Sequence, residues 1–168
     1  MAGFDAIYKQ TITLFNRVKN SYGEETLWYP TIIEGVHLIV DKSATWNNQG
    51  GQASDNAKLN VRYKVSGDEV LISCIGADGK PFYKRWYEPK AWSRLEKPEE
   101  GLTFSFGNND DFDFFVEGIF TEMSGPISDD LFERKGFYNY MNAKYDNVFA
   151  IAGAAKYNLI PHFEIVAR

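Results

Sequence analysis

The chain has 168 residues, a formal net charge of -5, 16% aromatic residues and a single cysteine. That length suffices for one domain whose core needs no disulfide or metal, and Cys74 cannot pair within the chain, so an oxidising compartment is not implied. The acidic balance argues against holding nucleic acid through neutralised phosphates, while an amino terminus without a basic region, and no run of eighteen apolar residues, predict a soluble product made in the cytoplasm.

Along the chain, residues 10–18 and 32–40 are apolar or β-branched on both faces in part, with Val36, Leu38 and Val40 alternating with His37 and Ile39. Both read as strands, the second largely buried. Residues 41–57 lose that pattern and take the Ser, Asn, Gln and Gly composition of a flexible polar loop. Within it, residues 43–56 read either as an arm that reaches a neighbouring subunit, anchored by Trp46, or as a floppy hairpin tip. Residues 58–65 alternate polar and apolar without a fault, which places Leu59, Val61, Tyr63 and Val65 on the buried face of a strand. A further strand at 69–75 lies between the turn signals Ser66-Gly67-Asp68 and Ala77-Asp78-Gly79, and 82–87 returns as its hairpin partner.

Pro89 suits a first helical position, with a short helix through Leu95 stopped by Lys97-Pro98. Leu102, Phe104 and Phe106 alternate again, 107–110 turn the chain, and Phe112, Phe114 and Val116 share one face of the next strand, where Gly118 marks a bulge or tight bend. Ser128, followed by Asp129 and Asp130, supplies an N-cap and negative charge for a helix whose buried side is Leu131, Phe132, Tyr138 and Met141. Gly136 weakens or splits that helix. Two closing strands, 148–154 and 162–166, complete a single β-rich domain spanning 1–168. The fold class is α+β, mainly β: a small antiparallel β-barrel or sandwich with one packed helix and a long polar loop.

Little in the chain points to chemistry. His37 and His162 are the only histidines, both inside apparent strands, so a Cys-His pair or metal cluster has almost no ligands to draw on. Cys74, in an apolar strand, reads as a small buried hydrophobe. Asp110, Asp111, Asp113 and Glu117 lack the twelve-residue loop of a calcium hand, and the first two fit a turn. The reading is therefore of no catalytic, cofactor-binding or metal-binding residue, and of no enzyme. The run Phe82-Tyr83-Lys84-Arg85-Trp86-Tyr87, continued by Trp92 and Arg94, fits three roles: a protein interface, plain core, or a surface that stacks on nucleic-acid bases or sugar rings. The interface candidates are Trp46, Trp86, Tyr87, Trp92 and Arg94.

The segments at 11–17, 26–36, 54–63 and 113–119, with Pro161-His162-Phe163-Glu164-Ile165 near the end, resemble an uncharacterised family of minor structural proteins encoded in phages and prophages of Gram-positive bacteria. Such proteins resemble head-closure or head–tail connector proteins. The resemblance implies a virion protein that forms a ring with copies of itself at the neck, contacts the portal or adaptor and the tail proteins, and lets DNA pass without sequence-specific binding. It implies no membrane partner. The alternative function is a carbohydrate- or host-surface-binding module of a phage tail that uses Trp86 and Trp92.

Overall fold

A computed structural model describes residues 7–19, 25–47, 50–95, 103–104, 112–122, 126–132 and 136–168. The expected positions Leu102 and Phe106, the 107–110 turn and the Lys97-Pro98 stop lie outside those residues.

The strands are β1 (Gln10–Lys19), β2 (Thr26–Asn47), β3 (Gly50–Arg62), β4 (Lys64–Ser66), β5 (Glu69–Ile75), β6 (Pro81–Trp86), β7 (Thr103–Phe104), β8 (Phe114–Glu117), β9 (Ile127–Ser128), β10 (Val148–Tyr157) and β11 (His162–Ala167). Helices are α1 (Pro89–Ser93) and α2 (Gly136–Lys144), with a 3-10 turn at Asp129–Leu131. Six strands close on themselves in the order β1-β8-β10-β11-β3-β2 and back to β1, every pair antiparallel. The molecule is thus a closed antiparallel barrel, mainly β with few helices, as expected. Closure matters because it leaves no open edge around the body of the sheet.

Strand alternation sorts the apolar residues into two cores. Leu59 and Val61 of β3, Phe163 and Ile165 of β11, Phe149 and Ile151 of β10 and Phe115 of β8 point into the barrel and fill it. The sheet β4-β5-β6 branches from β2 through Ile32 and Ile33, paired with Ile75 and Cys74, and lays Val70, Ile72 and Trp86 on the same cluster. On the opposite face of the wall, Phe15, Phe114, Val116 and Val148 form a second cluster, covered by Phe137 and Met141 of α2. This two-sided burial explains why β1 read as apolar on both faces in part, and β8 shares it: Leu14 and Phe115 face in, Phe15 and Phe114 face out.

Two expectations change in detail and a third holds. Val65 is 60% exposed although Leu59, Val61 and Tyr63 are buried. The ladder breaks at Tyr63, whose N–H turns to Pro161 O (3.3 Å), so the alternation phase does not carry into β4. The helix expected after Ser128 is only the 3-10 turn, capped by the Ser128 hydroxyl, which accepts from Asp130 N; the α-helix proper starts at Gly136, and Leu131 is exposed. Gly118 does mark a tight bend, with φ 97° and its N–H donating to Thr11 O at 2.8 Å.

Asp129 ties this region together. One carboxylate oxygen accepts from Trp28 Nε1 (2.7 Å) and from Phe137 N (2.9 Å), joining β2 to the first turn of α2. Gly136 has φ 78°, and a Cβ there would stand 3.0 Å from Asp129 Oδ1. Left-handed backbone costs a side chain ~1–2 kcal/mol, and the clash loosens the Asp129 bonds as well. Gly136→Ala is expected to lower Tm by roughly 4–8 °C, measured by a circular-dichroism melt. An unchanged Tm would mean that this junction relaxes freely.

Candidate functional site

The 43–56 segment, expected as a flexible loop, is a continuation of β2 and β3. Their register runs unbroken from Val36↔Val61 to Asn47↔Gly50. At Ala57, β3 is still flanked on its other side by β11, through Ala57↔Ala167. Beyond it, 41–47 and 50–56 pair only with each other among the described residues, as a seven-pair ribbon from Asp41↔Asn56 to Asn47↔Gly50. At ~3.3 Å per residue the ribbon extends about 20 Å past the barrel wall. Buried pairs at its base (Leu38↔Leu59, Val40↔Ala57) set the register, and backbone bonds propagate it into a polar sequence. Trp46 lies in this ribbon opposite Gly51; its side chain is outside the described residues.

The remaining interface candidates do not share a surface. Trp86 is 8% exposed and packs on Phe163 inside the barrel core, ring centroids 4.8 Å apart. Trp92 is 5% exposed, with its ring edge-on to Tyr29 at 6.4 Å. Neither indole presents an open face, so the expectation that they serve as interface or sugar-stacking anchors is corrected: they are packed within the chain. Tyr87 is half-buried, its ring under the Arg85 guanidinium at 4.5 Å, and Arg94 is exposed.

The titratable groups are spread out. Cys74 is fully buried, and desolvation pushes its thiol up to about 12, the behaviour of a small hydrophobe. His37 Nδ1 lies 3.4 Å from Asn60 Nδ2, and His162 stacks on Tyr157 with Nε2 3.2 Å from Glu164 Oε1. Asp113 is buried and accepts from Asn16 Nδ2 (3.1 Å) and Arg17 N (2.9 Å), so it acts as a structural strut. Asp110 and Asp111 lie outside the described residues. Among the described residues no three of His, Cys, Asp and Glu gather to hold a metal ion.

Two features were not anticipated from the sequence. The first is a surface pocket of about 320 Å³ between β8 and α2, with Val116, Phe120 and Met141 in its lining and Ile119, Glu117 and Glu122 beside them. Glu122 accepts from Tyr145 OH (2.7 Å) and Lys144 Nζ (3.3 Å), and these two bonds hold its carboxyl below the usual carboxylate range. The second is the tip between β10 and β11, where Leu159 is 98% and Ile160 60% exposed. The signal was present: turns favour Gly, Asn, Asp, Ser and Pro, so two bare aliphatic residues between Asn158 and Pro161 are out of character.

The protein is therefore a closed six-stranded antiparallel barrel that carries a side sheet, one packed helix and a projecting two-stranded ribbon. The chain belongs to the family of unknown function DUF6751, whose model matches residues 7–168. No curated protein and no solved structure matches it.

Proposed function

We propose that this protein is a structural subunit of a tailed-phage virion, assembling into a ring at the head–tail connection through which DNA passes. The observation that carries the reading is the ribbon at 41–47 and 50–56, paired only with itself among the described residues. A two-stranded hairpin is marginal in water by itself, and both rims of this one, unpaired among the described residues, offer backbone groups to another chain. A neighbouring subunit supplies the missing burial.

The barrel interior is filled by side chains such as Phe149, Phe163 and Leu59, so the channel runs between subunits and not through one. A net charge of -5 suits a lumen that repels phosphate and lets DNA slide. Such a ring contacts the portal or adaptor on one side and tail proteins on the other, and its place is the virion. The carbohydrate-binding alternative needed open faces on Trp86 and Trp92, and their burial removes its support.

Electron microscopy of the purified protein and of particles containing it tests the ring. Replacing residues 42–55 by Asn-Gly, to join Asp41 and Asn56 in a short hairpin, is expected to leave the monomer's Tm within about 3 °C, because the deleted pairs lie outside the barrel core. Rings or particle assembly are expected to be lost. Rings that persist without the ribbon would remove its role, and a wild-type protein absent from the neck of particles would remove the function.

A further inference from the structure

Two unrelated surface features complement each other. The tip is a rigid apolar knob. The Tyr63 hydroxyl lies 2.7 Å from Tyr157 O and 2.8 Å from Asn158 Oδ1, its one proton shared between them. His162 Nδ1 is 2.6 Å from Ile160 O, and the Tyr157 and His162 rings stack at 4.9 Å. Leu159 and Ile160 are thus presented on a hairpin already fixed at both shoulders, so little ordering entropy opposes their insertion elsewhere. The hole is the pocket beside α2. Val116, Phe120 and Met141 form its buried floor and the exposed Ile119 lines it beside Glu117 and Glu122, and its volume of about 320 Å³ is large enough for branched side chains.

Charge adds a partial match: Glu117 and Glu122 belong to the pocket, the latter bridged to Lys144, and Lys156 stands beside the knob next to the His162–Glu164 pair. Geometry excludes self-insertion. β10, ten residues long, begins beside the pocket, with Val148 paired to Val116, and ends at Tyr157, below the knob. At ~3.3 Å per residue, that rigid strand separates hole from knob by about 30 Å.

We propose that Leu159 and Ile160 insert into the pocket between β8 and α2 of a second copy of this chain, linking copies head to tail. Such a contact is heterologous: each copy offers one knob and one hole, and repetition closes a ring or grows a filament according to the rotation per step. The inference deepens the ring proposal and rests on it only for closure.

Sedimentation velocity on wild-type protein, Leu159→Asp, Ile119→Asp and a one-to-one mixture of the two variants tests it. Both side chains are more than half exposed, so the variants are expected to melt as wild type does. Wild type is expected to form multimers with rising concentration, while each variant alone stays monomeric, its association weakened at least tenfold. The mixture is expected to form heterodimers and stop there, since only one of the two possible junctions joins an intact knob to an intact hole. Multimers formed equally by either variant, or a mixture that remains monomeric, would overturn the inference while leaving a wild-type ring standing. Wild-type filaments that both variants abolish would uphold the inference and remove the ring. Wild type that stays monomeric throughout would remove both.

Discussion

Val61→Asp is expected to abolish soluble expression, while Arg62→Asp, one residue on, is expected to yield folded protein. Val61 is 1% exposed, paired with Val36 on one side and Phe163 on the other, and surrounded by the barrel's filled interior. A carboxylate there would lie among the aliphatic and aromatic side chains of the inner cluster, and burying it unpaired costs several kcal/mol. That is a large share of the ~5–15 kcal/mol that holds a domain of this kind together. Arg62 points the other way, exposed, with its guanidinium 4.4 Å from the Tyr8 ring. Losing an exposed cation–π contact costs ~0.5–1 kcal/mol. Soluble yield and a circular-dichroism spectrum of each variant check the contrast, and equal tolerance of both would mean that the strand's faces are reversed.

That contrast could be read from the sequence because β3 buries one face only, and a half-buried strand writes its orientation as alternation. The same logic placed Phe112, Phe114 and Val116 together, and all three belong to the outer cluster with α2. It failed where burial does not set the structure. The 41–56 ribbon carries no apolar period, because its register is inherited from Leu38↔Leu59 and Val40↔Ala57 at its base. Composition reports how much surface a segment can bury, not whether its backbone is paired. Trp86 and Trp92 failed for the opposite reason. Aromatic residues beside Lys84 and Arg85 look like a binding stripe, but strand alternation sends Trp86 and Lys84 inward and Tyr83 outward, so the run splits across the sheet. As for the candidate site, composition singled out the 43–56 segment but not its pairing, the bare Leu159 and Ile160 stood out in the sequence, and the pocket did not: it joins Val116 and Phe120 to Met141 and Tyr145, which only the fold brings together.

Lys84 makes the second large effect, because a lysine facing an apolar core destabilises the fold it belongs to. It is 5% exposed, and its Nζ donates to Thr31 Oγ1 at 2.6 Å. Desolvation lowers its pKa from 10.5 to about 8, with the neighbouring Cys74 opposing the shift. At ~1.4 kcal/mol per pH unit, that drop amounts to about 3 kcal/mol of lost stability wherever the unfolded lysine is charged and pH is below 8. Between pH 8 and 10.5 the unfolded chain keeps a proton that the folded chain has released, so stability rises with pH across that interval. Cys74 acts in the opposite sense: burial raises it from 9.0 to about 12, the folded chain keeps a proton that the unfolded one loses, and stability falls with pH across that window. The two cancel between 9 and 10.5, so the wild-type curve is expected to climb from pH 8 to 9, level off, and decline above 10.5. Cys74→Ala is expected to extend the climb to 10.5. Replacing Lys84 with Met and Thr31 with Val together removes the buried amine without orphaning the hydroxyl. That pair is expected to remove the climb and to raise stability at pH 7 by about 2 kcal/mol, as read from urea midpoints at constant m-value. A wild-type midpoint that stays level from pH 7 to 9 would mean that the Lys84 ammonium remains hydrated in the folded barrel.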